Sequence, residues 1–576
     1  MGGSTAGADR DLKLGISDIL IIGLAALVLA LPVLIYGPMV GGHDTYEHLN
    51  FREHFVRQFW GGEGYPRWFI GMNHGLGSAS FFVYPPLPSY IVALLDPAGK
   101  ALHFNAFNFM EFLALFGSGI SAFVWLGTMA SRRAALLVSI LYMLMPYHLA
   151  GDFYRRTALA ECWALVWIPL VLYFTARLKE PDRVALIGLA VSYALMILSH
   201  LISVAIISLL PFAITMFLFP RGLRARSTTR VVFGMLLGAG LASFYLLSAL
   251  FHSRYIPVTR MISVYPFFLE DNVIRFGRAL YYGRDFTHTV SLIVINMVVL
   301  IVVCATVALR NAQAGQERKN LIFWVTACTI PTFLMTAWSL PVWRMFPFMH
   351  RIAQFPWRLN IVLCVAALPI VAAFLCQTSW NPKLNQAVPL ALFSLVVFSW
   401  LVSYAAIWRR YQTEVATPRT SLSEDDDAFA AWSPPGMDEA SALQASTGPR
   451  ARFLSGVGEV DILLWKSRHL QIETNSPTGG TVMINQFYYP AWTASSVEDG
   501  RSLQVGAAMP QGLLQIEIPS GRRQIRLDIP LGSSELIGRW LSAGCILVCG
   551  ALALCNRRTA QAILLSKVTH GLHQPG

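Results

Sequence analysis

The chain has 576 residues, 55% of them hydrophobic and only 13% charged, with a formal net charge of +12. This balance is too apolar for a soluble multidomain enzyme and points to a polytopic membrane protein. Most of the excess positive charge lies in short loops between apolar runs, where it orients a membrane protein, so nucleic acid is not expected as a partner.

Residues 1–15 form a polar N-terminus, and no small-residue cleavage site follows the apolar stretch 16–36, which is expected to remain as a first span. Further runs long enough to cross a bilayer lie at 107–129, 134–150, 160–176, 184–200, 201–219, 231–250, 289–309, 320–338, 359–377, 386–405 and 535–554, about twelve spans in all. If they alternate, the basic loops "SRR", "RLKEPDR", "PRGLRARSTTR", "RNAQAGQERKN" and "NRR" share one side, which the positive-inside rule makes cytoplasmic. The outer face then receives the first loop, 37–106. Within it "FFVYPPLPSYIVALLDPAG", 81–99, is short and opens on prolines, and is expected as a re-entrant or interfacial helix; Lys100 beside it dissents mildly from the charge rule.

After the membrane domain 16–405, residues 406–450 are acidic and rich in Ser, Pro and Ala without periodicity, a flexible linker. From 451 to 533 the pattern changes to alternating strands, "VDILLWK", "HLQIET", "GTVMINQFYY", "SLQVGA", "LLQIEI" and "RQIRLDI", separated by turn residues. This predicts an extracytoplasmic β-sandwich of about six strands, tethered by a last span at 534–556 and followed by a tail at 557–576. Eight cysteines lie in or beside apolar runs at no zinc-finger spacing, so neither disulfides nor zinc thiolates are expected.

The outer face should be poor in basic residues, yet it carries Arg52, Arg57, Arg67, Arg155, Arg156, Arg254, Arg260, Arg275, Arg278, Arg284, Arg344, Arg351 and Arg358, with almost no lysine. Guanidinium grips phosphate or carboxylate bidentately, so the set suggests an anionic ligand such as a lipid phosphate. Some of these arginines have acids to pair with instead, among them Asp152, Glu161, Glu270, Asp271 and Asp285. In "GHDTYEHLNF", 42–51, Asp44 and His48 stand four apart, as do His43 and Glu47, and share faces if the segment is helical. A carboxylate there suits a general base, and an Asp/His pair suits a divalent cation; a helix cap with interfacial polar residues accounts for the same pattern. "PYHLAGDFYRRTALAE" sets Tyr147, His148, Asp152, Arg155, Arg156 and Glu161 at the outer ends of two spans, where Glu161 should face the bundle interior or pair with arginine. His200 sits at a membrane boundary, and "MHRIAQFPWRLN" concentrates His350, Arg351, Gln354, Trp357 and Arg358 before a span.

Together with "FFVYPPLPSY", "LSHLIS", "QFPWRL" and "QFYYPAWTASSVEDG", these stretches resemble, in the same order, the bacterial integral membrane family labelled 6-pyruvoyl-tetrahydropterin-synthase-related, akin to YfhO-like proteins. Such proteins look like members of the GT-C superfamily of membrane glycosyltransferases. The resemblance implies a GT-C-like helical domain in the bacterial inner membrane, with the active site and β-domain facing the periplasm. It also implies inverting transfer of a sugar from a polyprenyl-phosphate donor to a lipid, glycan or protein acceptor. The acid in the first outer loop would then be Asp44, with Glu47 the second candidate and His48 in support. Arg155, Arg156, Arg351 and Arg358 are candidates for the donor phosphate, supported by Glu161, His200, His350 and Gln354. The chain reads His-Asp-Thr where a DxD metal signature would stand, so a divalent cation (Mg or Mn) stays open, with Asp44 and His48 as its ligands if one is held. Two other classes remain, a transporter or flippase for lipid-linked glycans and a non-catalytic assembly protein for an envelope polysaccharide. The first would continue polar residues through the span midpoints, which here are mostly Leu, Val, Ile, Ala and Gly.

Overall fold

The structure, a computed structural model, describes residues 12–38, 42–255, 268–274, 286–377, 384–414 and 434–571. Arg260, Arg275, Arg278, Arg284 and Asp285 lie outside them, as do residues 415–433 of the expected linker and the start of the N-terminal segment.

Helices stand at all twelve expected positions, but fewer than twelve qualify as single spans. Eight are long and apolar enough: Ile16–Tyr36, Ala106–Leu126, Arg132–Arg156, Leu159–Arg177, His288–Asn311, Pro356–Gln377, Ala387–Gln412 and Ser533–Leu554. A ninth is the pair Arg221–Leu241 and Ser243–Tyr255, bent by 78° at Ala242. Arg183–Ser199 and Leu201–Phe217 are apolar but shorter, the second being interrupted at Ser208. Gln316–Met335 carries its charged first turn inside the helix. The stretch 81–99 contributes a 16-residue helix, Leu87–Leu102, introduced by Pro86 and outside the set of spanning helices.

The β-domain has nine strands, not six: β1 Ala451–Gly456, β2 Glu459–Lys466, β3 His469–Ser476, β4 Gly480–Phe487, β5 Thr493–Ser496, β6 Ser502–Leu503, β7 Val505–Ala508, β8 Leu513–Ile518 and β9 Gly521–Asp528. They form two sheets, ordered β1-β4-β8-β7 and β2-β3-β9-β5-β6. Alternation places Leu470, Ile472, Ile525 and Leu527 of one sheet against Val482, Ile484, Leu514 and Ile516 of the other in a single buried core. The antiparallel register pairs Leu470 with Leu527 and Ile472 with Ile525. The end of the expected linker is also folded. Asp438 caps a helix, Glu439–Ser446, by accepting from the Ser441 N–H, and Ala442 and Ala445 of that helix join the sandwich core. Short runs of small residues carry too little hydrophobic periodicity to reveal this helix or β5 in the sequence.

The first loop and the β-domain interlock. Trp68, Leu76, Ala79 and Phe82 belong to the sandwich core. The Trp68 indole N–H donates to Gln486 Oε1 at 2.7 Å, and Gln486 Nε2 donates to the Gly75 carbonyl at 2.7 Å. Gly77, at φ +86°, lies where an added Cβ would be 2.5 Å from Gln486 Oε1 and 2.6 Å from the Trp68 ring, so only glycine fits. The docked β-domain therefore stands at the same end of the helical bundle as residues 42–84.

Candidate functional site

Asp44 ends the turn before the helix Thr45–Trp60 as its N-cap residue, but its side chain makes no capping bond. The turn is held from elsewhere: the Asp44 N–H donates to the Arg156 carbonyl at 2.9 Å, and the Thr45 and Thr157 hydroxyls meet at 2.8 Å. Thr157, at φ +56°, closes a π-helix, Tyr147–Arg156, at the end of the third span. The wider turn (Gly151 N–H to the Pro146 carbonyl at 2.8 Å) makes this a non-standard helix of the kind found at functional sites. With its carboxylate released from capping, Asp44 reaches Arg156, with Oδ2 3.9 Å from Nη2.

Arg156 is the hub. Its Nη1 donates to Asp152 Oδ1 at 2.5 Å and to Glu161 Oε2 at 2.9 Å, while Tyr147 donates its hydroxyl proton to Glu161 Oε1 at 2.8 Å. Asp152 and Glu161 are buried, and so is Arg156, so Glu161 faces the bundle interior and pairs with arginine, as expected of an acid on a span. The Arg156 guanidinium also lies 4.9 Å from the Trp357 ring centre, and that of Arg358 is 5.9 Å from the same ring.

Arg358 differs from Arg156 in its partners. It is 8% exposed and donates to Gln354 Oε1 at 2.5 Å, and its Nε has no hydrogen-bond partner. No ion pair joins it to a carboxylate among the described residues. Gln354 reaches it because its backbone, at φ +61°, ends the helix Pro347–Ala353 and turns the chain into Pro356–Leu359. His200, in the break between Arg183–Ser199 and Leu201–Ile207, bonds to Ser203 Oγ at 2.7 Å and lies within electrostatic reach of Glu161, Arg358 and Arg156.

On the opposite wall, burial and the neighbouring Asp44 raise the Glu47 carboxyl to about 7, and burial lowers the His48 imidazole to about 4, so that ring is neutral. Burial likewise raises the Tyr84 phenol, which sits in the fields of Glu47, Asp44, Arg156 and Arg358. Tyr84 was not singled out from the sequence, and nothing beyond its place in "FFVYPPL" marks it there.

The structure thus brings together Asp44, Glu47, His48, Arg156, Glu161, His200, Gln354 and Arg358. It does not bring Arg351, which is exposed on Pro347–Ala353 with no hydrogen bond or ion pair to the cluster among the described residues. His350 lies instead in the field of Glu270, beside the Arg344–Glu270 pair at 2.9 Å. Arg351 lies on Pro347–Ala353 and Arg358 on Pro356–Leu359, with the turn at Gln354 between them. Arg155 stays at the rim, within reach of His43, which is exposed. Arg67 leaves the outer arginine set entirely, since it is buried in an ion pair with Glu535 at 2.7 Å. Of the aromatic residues in "QFYYPAW", Tyr489 and Trp492 are buried in the sandwich core and Tyr488 packs against it. Asp44 and His48 do not fit a divalent cation: among the described residues no group of three or more His, Cys, Asp or Glu is placed to hold one. The Arg156 guanidinium 3.9 Å from Asp44 would oppose its charge.

Comparison with curated proteins returns no match. Among solved structures, the cryo-EM structure of the arabinofuranosyltransferase AftD from Mycobacteria is similar with a TM-score of 0.46 at 15% identity, covering 76% of this chain and 29% of that one. A mutant of the same protein, in its second class, gives 0.43 at 13% identity, covering 76% and 30%. The chain spans less than a third of the length of those structures. Residues 81–408, more than half of the chain, match the family described as the 6-pyruvoyl-tetrahydropterin synthase related domain, a membrane protein, and the chain belongs to that family.

Proposed function

We propose that the protein is a glycosyltransferase of the bacterial inner membrane. It moves a sugar from a polyprenyl-phosphate donor to a hydroxyl of a lipid, glycan or protein acceptor at the outer face, with inversion. The observation that carries this reading is Arg358, a buried guanidinium with an unpartnered Nε and no direct ion pair to a carboxylate among the described residues, in the field of the uncapped Asp44 turn. A buried cation left without an anion is costly, and a phosphate that enters from the bilayer supplies the missing partner.

The chemistry divides between the two walls. The acceptor oxygen attacks the anomeric carbon and forms the new C–O bond as the bond to the phosphate oxygen breaks. The hydroxyl proton passes to the Asp44 carboxylate, and the electron pair leaves on the polyprenyl phosphate. Arg358, with Gln354 fixing its fork, stabilises the charge that develops on the departing phosphate. Arg156 is shared between Asp152 and Glu161 and serves to hold the Asp44 turn and the indole of Trp357 in place. Glu47, close to half-protonated near neutral pH, is placed to relay the proton taken up by Asp44.

The test is transfer from polyprenyl-phosphate-linked sugars by purified protein and its Asp44→Asn variant, with folding followed by thermal melting. Loss of transfer at an unchanged melting temperature supports the assignment. Unchanged transfer by Asp44→Asn removes Asp44 as the base, and absence of transfer by the wild-type protein across lipid-linked sugars removes the activity itself.

A further inference from the structure

A cavity of about 660 Å³ opens at the far end of the helices that carry the candidate site. Leu159–Arg177 carries Glu161 in its first turn and lends Leu172 and Ala176 to this cavity, eleven and fifteen residues or about 16 and 22 Å further along the axis. The helix Asn360–Gln377 begins beside Arg358 and lends Pro369 and Ala373. The cavity is therefore separate from the candidate site and falls at the face that the charge rule makes cytoplasmic. Its volume lies within the range of about 300–1,000 Å³ common to ligand sites.

The walls and the rim differ in chemistry. Inside are Trp125, Leu172, Ile214 and Trp324, an apolar surface at membrane depth. At the mouth Lys179 is exposed, and Arg230 donates to its carbonyl at 3.1 Å. Arg224 Nε donates to the carbonyl of Phe219, a lining residue, at 3.2 Å. The acid of the lining, Glu317, is taken up by the Gln377 amide at 3.0 Å. An apolar slot between spanning helices with cations at its mouth is the combination that holds an anionic lipid, chain inside and phosphate at the rim.

We propose that this cavity is a binding site for a phosphate-headed lipid of the cytoplasmic leaflet, with its acyl chain between Leu172 and Trp324 and its phosphate at Lys179 and Arg224. Neither residue belongs to the catalytic cluster, so the site is independent of the glycosyltransferase reading.

The experiment titrates dioleoyl-phosphatidylglycerol, dioleoyl-phosphatidylcholine or inorganic phosphate into the detergent-purified full chain and reads the melting temperature and the bound lipid by native mass spectrometry. Phosphatidylglycerol is expected to raise the melting temperature by about 2 °C or more and to survive as a one-to-one adduct, with phosphatidylcholine weaker and free phosphate without effect. Lys179→Glu with Arg224→Glu should abolish the preference for the anionic lipid, and Ala373→Trp, which fills the slot, should abolish the adduct. Equal effects of the two lipids, an effect of free phosphate alone, or an unchanged adduct in Ala373→Trp would each overturn the proposal. Should Ala373→Trp fail to fold, the rim variant decides alone.

Discussion

Arg156 and Arg358 flank one indole, that of Trp357, yet among the described residues only Arg156 has an ion-pair partner. Arg156 is claimed by two buried carboxylates, whereas Arg358 has an amide and a backbone carbonyl. Replacing Arg358 with lysine keeps a cation but removes the planar fork. At roughly 1.5–3 kcal/mol for a charge-assisted hydrogen bond, Arg358→Lys is expected to slow transfer about 10- to 100-fold, measured as initial rate at saturating lipid-linked donor. Arg156→Lys should instead act mainly through folding, lowering the melting temperature. Glu47 makes a different prediction. Its carboxyl is raised from 4.5 to about 7, so the folded protein holds this proton more tightly than the unfolded chain. Stability therefore falls as pH rises from about 4.5 to about 7 and is level in this respect above that window, a change of at most about 3 kcal/mol. Melting temperatures across that range should decline less steeply in Glu47→Gln than in the wild type; equal slopes would show that Glu47 is not the titrating group. The sequence placed both arginines and the acids in one list of candidates. It could not rank them, because the ranking depends on which carboxylates cross from neighbouring spans.

At the scale of elements, the positions of the apolar helices and six of the strands were legible, though not the number of spans, because hydrophobic periods of 3.6 and 2 survive in the sequence whatever the tertiary context. The π-helix Tyr147–Arg156 was not, since "YHLAGDFYRR" has the composition of an ordinary helix end and its wider turns are imposed by packing. Nor was the 78° bend at Ala242, where a run long enough for one span is broken without proline. Both departures bear on the outer end. The π-helix delivers Asp152, Arg156 and Thr157 to the Asp44 turn, and the bent pair supplies Tyr245, which donates to the Val83 carbonyl at 2.8 Å beside Tyr84. The loop 61–84 is held between this pair and the β-domain, with Gly77 at its tightest point. Gly77→Ala should strain a positive φ and push Gln486 from Trp68, costing about 1–3 kcal/mol of stability. Limited proteolysis is a direct readout, with the β-domain expected to be released faster from Gly77→Ala than from the wild type. Equal rates would mean that the loop absorbs the methyl group without loosening the dock.

At the scale of the whole molecule, one buried charge network connects four parts of the chain that the sequence keeps far apart. Arg67 of the first loop lies 2.7 Å from Glu535 at the start of the last span, and both side chains are 1% exposed. Arg67 also donates to Ser248 Oγ at 2.6 Å and to the Phe244 carbonyl at 2.7 Å on the bent pair. Arg468, in the turn between β2 and β3, donates to the same glutamate at 3.0 Å. Glu535 thus pairs with both cations, and its loss leaves the buried Arg67 without an ion-pair partner among the described residues. Removing one partner of such a buried pair costs about 3–5 kcal/mol, far more than a surface ion pair is worth. Glu535→Gln is expected to lower stability by that amount, and Arg67→Met by a smaller one, because Arg468 still answers Glu535. A double-mutant cycle on thermal or denaturant unfolding separates a true lock from two independent defects. Coupling above about 1 kcal/mol between Arg67 and Glu535 is the expected result, and additivity within about 0.5 kcal/mol would mean that the β-domain is held by its apolar dock alone. If the lock holds, the β-domain is a fixed wall beside the Asp44 turn, and variants in this network should reduce transfer only in proportion to the protein they unfold.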